Sequence, residues 1–173
     1  MDFESKIRNI PNFPKEGILF RDITTLIKDK EAYVELIDTI ADSLRDKNID
    51  IVIGPEARGF VMGSAVAYAI GAGFVMARKP GKLPWKTRRI EYGLEYGSDV
   101  LEVHEDAILK GQRIALVDDL LATGGTAMAV IKLCEDMGGE VIAARFAIEL
   151  SDLHGRDLLD KYDVQSVVSF EGE

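Results

Sequence analysis

Hydrophobic positions recur along this chain with two periods, and the order in which the periods alternate predicts the elements. From Asp29 the stretch DKEAYVELIDTIADSLRDK puts Tyr33, Leu36, Ile37, Ile40, Ala41 and Leu44 on one stripe at helical spacing, with Asp29 placed to cap the first turn. IDIVI, from Ile49 to Ile53, is a short β-branched run stopped by Gly54-Pro55, and FVMGSAVAYAI, from Phe60 to Ile70, is an almost wholly apolar helix. The alternation continues with strands over Phe74 to Arg78 and Ile114 to Asp118, a helix from about Thr126 to Met137, and a strand VIAARFAIEL after the Gly138-Gly139 stop. Strands and helices in this order predict an α/β fold, a mostly parallel sheet with helices on both faces.

Two segments stand outside that rhythm. Between Lys79 and Asp99 there is neither steady periodicity nor much apolar content, and a loop of that length in a compact domain is usually functional or mobile; residues 79–99 are expected to form a flexible lid. PNFPKEGILFRDIT, from Pro11 to Thr24, sets two prolines and a glycine before an apolar-basic-acidic cluster, which predicts extended chain laid over the sheet's edge. Residues 1–28 are too few for a domain of their own, and at 173 residues the whole chain fits a single one.

Charge and composition narrow the partners. Thirty acids against 21 bases give a formal charge of -9, which argues against broad binding to nucleic acid or to an anionic membrane. The N-terminus lacks the basic-then-apolar pattern of a signal peptide, and no apolar run approaches the roughly 18 residues of a membrane span, so a cytoplasmic protein is expected. Cys134, the single cysteine, sits in a helical pattern as a small buried hydrophobe. His104, in the alternating VLEVHED, and His154, in a loop, belong to no metal-ligand cluster and read as structural or solvent-facing.

Chemistry concentrates in IALVDDLLATGGT, Ile114 to Thr126. In an open α/β sheet ligands gather beyond the carboxyl ends of the strands, where Asp118 and Asp119 fall. Two adjacent carboxylates repel, so a metal, basic residues or ligand hydroxyls should compensate them; loop solvation with helix capping explains one of them more easily than both. Ala122-Thr123-Gly124-Gly125-Thr126 opens a helix with free amides, two glycines and two hydroxyls, a combination suited to a phosphate group. It is neither a Walker loop, lacking Gly-Lys-Ser/Thr, nor a dinucleotide fingerprint, and phosphate beside vicinal hydroxyls suggests a ribose phosphate. RKPGKLPWKTRR, Arg78 to Arg89, carries six cations and no acid in an acidic chain, as a pyrophosphate-binding loop or a solvated basic one would.

IALVDDLLATGGT resembles the ribose-phosphate signature of the type I phosphoribosyltransferases. FPKEGILFRDIT, GPEARGF, RKPGKLP, LEYG and VDDLLATGGT, in that order and over most of the chain, narrow the resemblance to the adenine phosphoribosyltransferases. The resemblance implies a single-domain type I fold with an N-terminal hood and a lid, and transfer of phosphoribose from 5-phosphoribosyl-1-pyrophosphate (PRPP) to adenine, giving AMP and pyrophosphate in purine salvage. By it, Asp118 and Asp119 hold the ribose hydroxyls, Ala122, Thr123, Gly124, Gly125 and Thr126 wrap the 5′-phosphate, and Arg58, Arg78, Lys79 and Lys82 serve the pyrophosphate. Leu19, Phe20, Arg21, Arg58 and Leu150 would form the adenine site, with Phe20 stacked on the purine; spacing alone equally allows Phe20 as a core anchor. Glu95 and Tyr96 would be the functional lid pair and Glu95 a proton relay, although composition does not choose between the two copies in EYGLEYG.

The resemblance further implies a cis Glu56-Ala57 peptide, Mg²⁺ carried by PRPP with no direct protein ligand, and a homodimer in which Arg78 reaches its neighbour's site. Trp85 departs from the smaller residue or proline expected there, so the lid should pack differently. The alternatives are transfer to another base, which should lack this FRDIT hood and LEYG lid, and a non-catalytic PRPP-sensing regulator, for whose extra DNA-binding domain the chain has no room.

Overall fold

The computed structural model describes residues 1–93 and 98–171, built around five parallel strands. The chain begins with an antiparallel hairpin, β1 (Arg8–Pro11) and β2 (Leu19–Asp22). A helical turn, α1 (Thr24–Ile27), leads into α2 (Lys30–Asp42), then β3 (Ile51–Pro55), α3 (Arg58–Ile70) and β4 (Gly73–Ala77). A second antiparallel hairpin, β5 (Thr87–Gly93) and β6 (Ser98–His104), precedes β7 (Arg113–Leu121), α4 (Gly125–Asp136) and β8 (Glu140–Leu150). The short α5 (Gly155–Leu158) and β9 (Asp163–Phe170) end the chain.

The sheet order is β4-β3-β7-β8-β9, every pair parallel. Alternate residues of each central strand face opposite cores. Val52, Ala115 and Val117 pack on one side with Leu36, Ile40, Met62 and Val66 of α2 and α3. Ile53, Ile114 and Leu116 pack on the other with Val130, Ile131 and Cys134 of α4 and with Leu101 and Val103 of β6. A parallel sheet covered on both faces needs such continuous apolar runs.

The α2 stripe behaves as its spacing predicts: Leu36, Ile37, Ile40, Ala41 and Leu44 are buried, and the Asp29 carboxylate accepts from the Glu31 and Ala32 amides at 3.2 and 3.1 Å. Cys134 is buried, and burial pushes its thiol up to about 12. His104, half-buried, meets Trp85 edge to face at 6.4 Å, while His154 lies in a left-handed turn.

Two expectations need correction, and one strand has no counterpart among those expected. Much of 79–99 is regular: β5 pairs β6 from Thr87↔His104 to Gly93↔Ser98, and the backbones of Arg78 and Glu102 exchange hydrogen bonds that fasten the hairpin beside β4. Ile90 and Tyr92 are its inward-facing positions, an alternation too short to stand out among charges. The N-terminal segment is likewise a hairpin rather than a single extended run. The sequence reading also passed over β9, whose DVQSVVSF mixes serines and a glutamine into an edge strand with buried and exposed positions intermingled. Among the described residues no helix is long and apolar enough to cross a membrane.

Candidate functional site

Strand β7 pairs with β3 only as far as Ile53↔Leu116, yet with β8 it continues to Leu121↔Glu149. Past Leu116 the two central strands diverge, because β3 turns into α3 on one side and β7 into α4 on the other. That is the topological switch at which open α/β sheets bind ligands. A cleft of about 390 Å³ opens there, lined by Pro55 to Arg58 and by Asp118 to Ala127.

The two aspartates differ. Asp119 is buried and its carboxylate is paired with the Arg58 guanidinium. Asp118 Oδ1 accepts from the Asp119 amide at 2.8 Å. Burial, and then the neighbouring Asp119 charge, push the Asp118 carboxyl well above the ordinary carboxylate range, outweighing that amide and Arg58. A proton is therefore retained on Asp118 to higher pH in the free protein, and a group donating to Asp118 would relieve the repulsion.

Beyond the aspartates the backbone makes a turn ending at Gly124, whose φ of +84° is left-handed and suits glycine. It starts α4, with the Gly124 carbonyl accepting from the Met128 amide at 2.9 Å. The first amides of a helix lack partners within it, and those of α4 face a cleft carrying the Thr123 and Thr126 side chains. The arrangement sets amides able to hold an anion beside two carboxylates able to accept from hydroxyls.

The basic segment approaches from the β4 side, where Glu56 is a hub not assigned from sequence. Its carboxylate accepts from the Lys79 amide at 2.7 Å and Arg78 Nε at 3.3 Å, with Lys82 Nζ at 3.7 Å. Burial alone would raise its pKa, but the Lys79 amide and the Lys82 and Arg78 cations prevail and hold it below the ordinary value. The Lys79 ammonium is itself paired with Asp99. The Glu56-Ala57 peptide is cis, as the resemblance implied. An acid two residues before Arg58 in GPEARGF was the available signal for Glu56.

Of the residues expected to form the adenine site, Phe20 meets the cleft through Arg58, whose guanidinium lies 5.5 Å from its ring, and Phe13 meets the same ring edge-on at 5.1 Å. Leu19, Arg21 and Leu150 are not among the cleft-lining residues. Arg21 instead stacks on Phe170 at 4.1 Å and donates to Asn9 Oδ1 at 2.7 Å, while Leu150 pairs with Phe170 across β8 and β9.

Glu95 and Tyr96 lie outside the described residues. The first Glu-Tyr-Gly copy is within them: Glu91 accepts from Ser98 Oγ at 2.7 Å, and the Tyr92 hydroxyl sits 3.4 Å from Thr126 Oγ1 and 3.3 Å from Asp99 Oδ2. Tyr92 thus ties the hairpin to the start of α4, a link that spacing could not reveal. Among the described residues no group of three or more His, Cys, Asp or Glu gathers to hold a metal. The donors near the cleft are carboxylate oxygens, fitting a hard cation that keeps most of its ligands from elsewhere.

Known proteins share this sequence and fold. The family described as phosphoribosyl transferase domain matches residues 24–172. An adenine phosphoribosyltransferase of Clostridium acetobutylicum is 59% identical over 170 residues, covering 98% of this chain and 99% of that protein. The crystal structure of an adenine phosphoribosyltransferase from Thermoanaerobacter pseudethanolicus, 51% identical, superposes with a TM-score of 0.95 over 98% of both chains. That of Saccharomyces cerevisiae, complexed with an imino-altritol bisphosphate and adenine, is 37% identical with a TM-score of 0.91 over 96% of both. The chain belongs to the phosphoribosyltransferase family, in its adenine phosphoribosyltransferase branch.

Proposed function

We propose that the cleft between β3 and β7 is where this chain, by family an adenine phosphoribosyltransferase, transfers phosphoribose from PRPP to adenine, giving AMP and pyrophosphate. The observation that carries the assignment is the gathering of Arg58, Asp118, Asp119 and the Ala122 to Thr126 turn around one cavity. The yeast relative's complex with adenine and a sugar bisphosphate supports the same pairing of ligands.

In this reading the turn's amides and the Thr123 and Thr126 hydroxyls hold the 5′-phosphate, and Asp118 and Asp119 accept from the ribose hydroxyls. Arg58, Arg78, Lys79 and Lys82 neutralise the pyrophosphate. Phe20 stacks on adenine, with Leu19, Arg21 and Leu150 around it. The bond from the ribose anomeric carbon to pyrophosphate breaks with its electron pair leaving on oxygen, so positive charge develops on the sugar near the two carboxylates as a purine nitrogen adds. Glu95 accepts or relays the proton that this nitrogen gives up. Mg²⁺ arriving with PRPP, held chiefly by the substrate's own oxygens, would supply positive charge to the leaving pyrophosphate.

We further infer a cytoplasmic homodimer in which each Arg78 serves the neighbouring pyrophosphate site. PRPP brings several negative charges to a chain of formal charge -9, and a second chain's cation would lower that cost. Mixing Arg78→Ala chains with Asp118→Asn/Asp119→Asn chains tests the sharing, because a mixed dimer would keep one intact site and regain activity. For the reaction itself, AMP formation is assayed from PRPP with adenine, hypoxanthine and guanine in parallel. Nucleotide should form from adenine alone, and a preference for either oxopurine would overturn the reading.

A further inference from the structure

The phosphate turn does not rest on its own helix alone. Beneath it runs the segment after β8, and the two backbones touch at a pair of glycines. A Cβ on Gly124 would come 2.6 Å from the Gly155 carbonyl oxygen and 3.2 Å from its Cα. From the other side, a Cβ on Gly155 would collide with the Ala122 carbonyl oxygen and lie 3.0 Å from the Gly124 nitrogen. Every atom met is backbone, so no side chain can swing aside.

The segment carrying Gly155 is held firmly. Arg156 grips the buried Glu149 of β8 with two hydrogen bonds, Nε to Oε1 at 2.9 Å and a terminal nitrogen to Oε2 at 2.5 Å, and donates to the Val164 carbonyl at 2.8 Å. Ser166 Oγ adds a 2.7 Å bond to the same carboxylate, which Arg156 holds below the ordinary glutamate range. Ser151 Oγ donates to the Phe170 carbonyl at 3.0 Å, and Leu159 is buried in the core beside α4. Strands β8 and β9 therefore anchor α5 on both sides of Gly155.

We propose that Gly155 is a positioning residue for phosphoribosyl binding: it is the floor on which the Ala122 to Gly124 turn sits, and the Arg156–Glu149 pair fixes the height of that floor. This rests on the assignment of the turn to the 5′-phosphate. Amides that bind an anion must converge on one point, so a displacement of a few tenths of an ångström weakens them together. Neither Gly155 nor Arg156 lines the cleft, and both act through the turn.

The test compares steady-state kinetics of four variants with the wild type, reading KM for PRPP, KM for adenine and melting temperature. Gly155→Ala should raise KM for PRPP about tenfold or more while KM for adenine stays within about twofold, since one misplaced contact shell costs that much. Gly111→Ala, at a positive φ of +83° in open space away from the cleft, is the control for destabilisation alone and should leave both constants unchanged. Gly125→Ala, within the turn, tests the assignment on which the proposal rests. An unchanged KM for PRPP in Gly125→Ala would remove the phosphate assignment, whereas a rise there without one in Gly155→Ala would overturn the positioning role alone. Should Gly155→Ala fail to fold, Arg156→Lys decides: it loosens the grip on Glu149 without adding a clash. A selective rise of KM for PRPP then supports the proposal, and unchanged constants or an equal rise in both overturn it.

Discussion

The two walls that face each other across the cleft are made differently. On the β7 wall, the polar groups hang from a strand whose residues Ile114 to Val117 are wholly buried, and most of what it offers a ligand is backbone: the amides opening α4, fixed by packing. On the β4 wall the polar groups are the ends of long side chains, and in the free chain each is paired with an acid. Arg78 and Lys82 are held by Glu56, and Lys79 by Asp99. The first wall needs no ordering to bind an anion. The second must release its acids first, which keeps the cations in place but sets part of their attraction against existing pairs. Substitutions of the β7-wall aspartates should therefore act on rate, substitutions in that wall's phosphate turn on KM for PRPP, and substitutions on the β4 wall on affinity and its salt dependence.

The largest effect should come from the aspartates. Each charge-assisted hydrogen bond is worth about 1.5–3 kcal/mol, so Asp118→Asn/Asp119→Asn should lose roughly a hundredfold or more in turnover. Asp118→Asn alone should melt higher than wild type at pH 7. A carboxyl whose pKa is raised on folding costs stability as pH rises above its unfolded value near 3.8, and an amide escapes that cost. Below pH 3.8 the two proteins should melt alike. Wild-type turnover in the double variant would end the contrast between the walls.

The Glu-Tyr-Gly copies come next. Glu91 is occupied by Ser98, and Tyr92 by Thr126 and Asp99, so the first copy has structural duties, which favours the second as the proton relay proposed above. Glu95→Gln should lower turnover on the order of a hundredfold, the low end of what a general acid or base supplies, and Glu91→Gln much less. The reverse ranking in single-turnover assays would reassign the relay to Glu91.

How legible each wall is in the sequence follows from its construction. Asp118, Asp119 and the turn are contiguous, so one strand-to-helix junction displays the whole β7 wall as a string of thirteen residues from Ile114 to Thr126. The strands and helices near it were readable for the same reason, since their periods are local. The β4 wall depends on Glu56 meeting residues 22 to 26 positions away, and on the Tyr92–Thr126 contact across 34, which periodicity does not encode. Gly155 escaped notice because its neighbours across the turn belong to a different strand-helix unit. Strand β9 was missed because an edge strand can afford polar residues that blur its pattern.

A smaller effect probes the β4 wall directly. Glu56→Gln removes the charge that holds Arg78 and Lys82 but keeps an acceptor for the Lys79 amide. KM for PRPP should fall by about two- to fivefold at low ionic strength, the value of one partly exposed ion pair, and the difference should fade as salt screens the freed cations. If KM rises instead, Glu56 is needed to orient those cations, and the β4 wall is as preorganised as the other.

The smallest prediction lies away from both walls, where an ion pair should matter to stability and little to phosphoribosyl binding. In the N-terminal hairpin Asp22 stands opposite Arg8, accepting from Arg8 Nε at 3.0 Å and from the Thr24 amide at 2.9 Å. Arg8, then Thr24, lower its carboxyl from 3.8 to about 2. A depressed carboxylate pKa stabilises the fold fully above the unfolded value, and the contribution disappears as pH falls from 3.8 toward about 2. Because Arg8 is more than half exposed, solvent screening reduces the effect to about 1 kcal/mol, or roughly 2–4 °C in melting temperature for a chain of this size. Asp22→Asn should show that loss at pH 7 and none near pH 2. Asp22 also ends the strand that carries Phe20, so the same variant separates stability from recognition. A change in KM for adenine at constant KM for PRPP would mean that the hairpin's register is felt by the base alone, whereas a change in both would mean that the hood and the phosphate turn move together, contrary to the rigidity argued for the β7 wall.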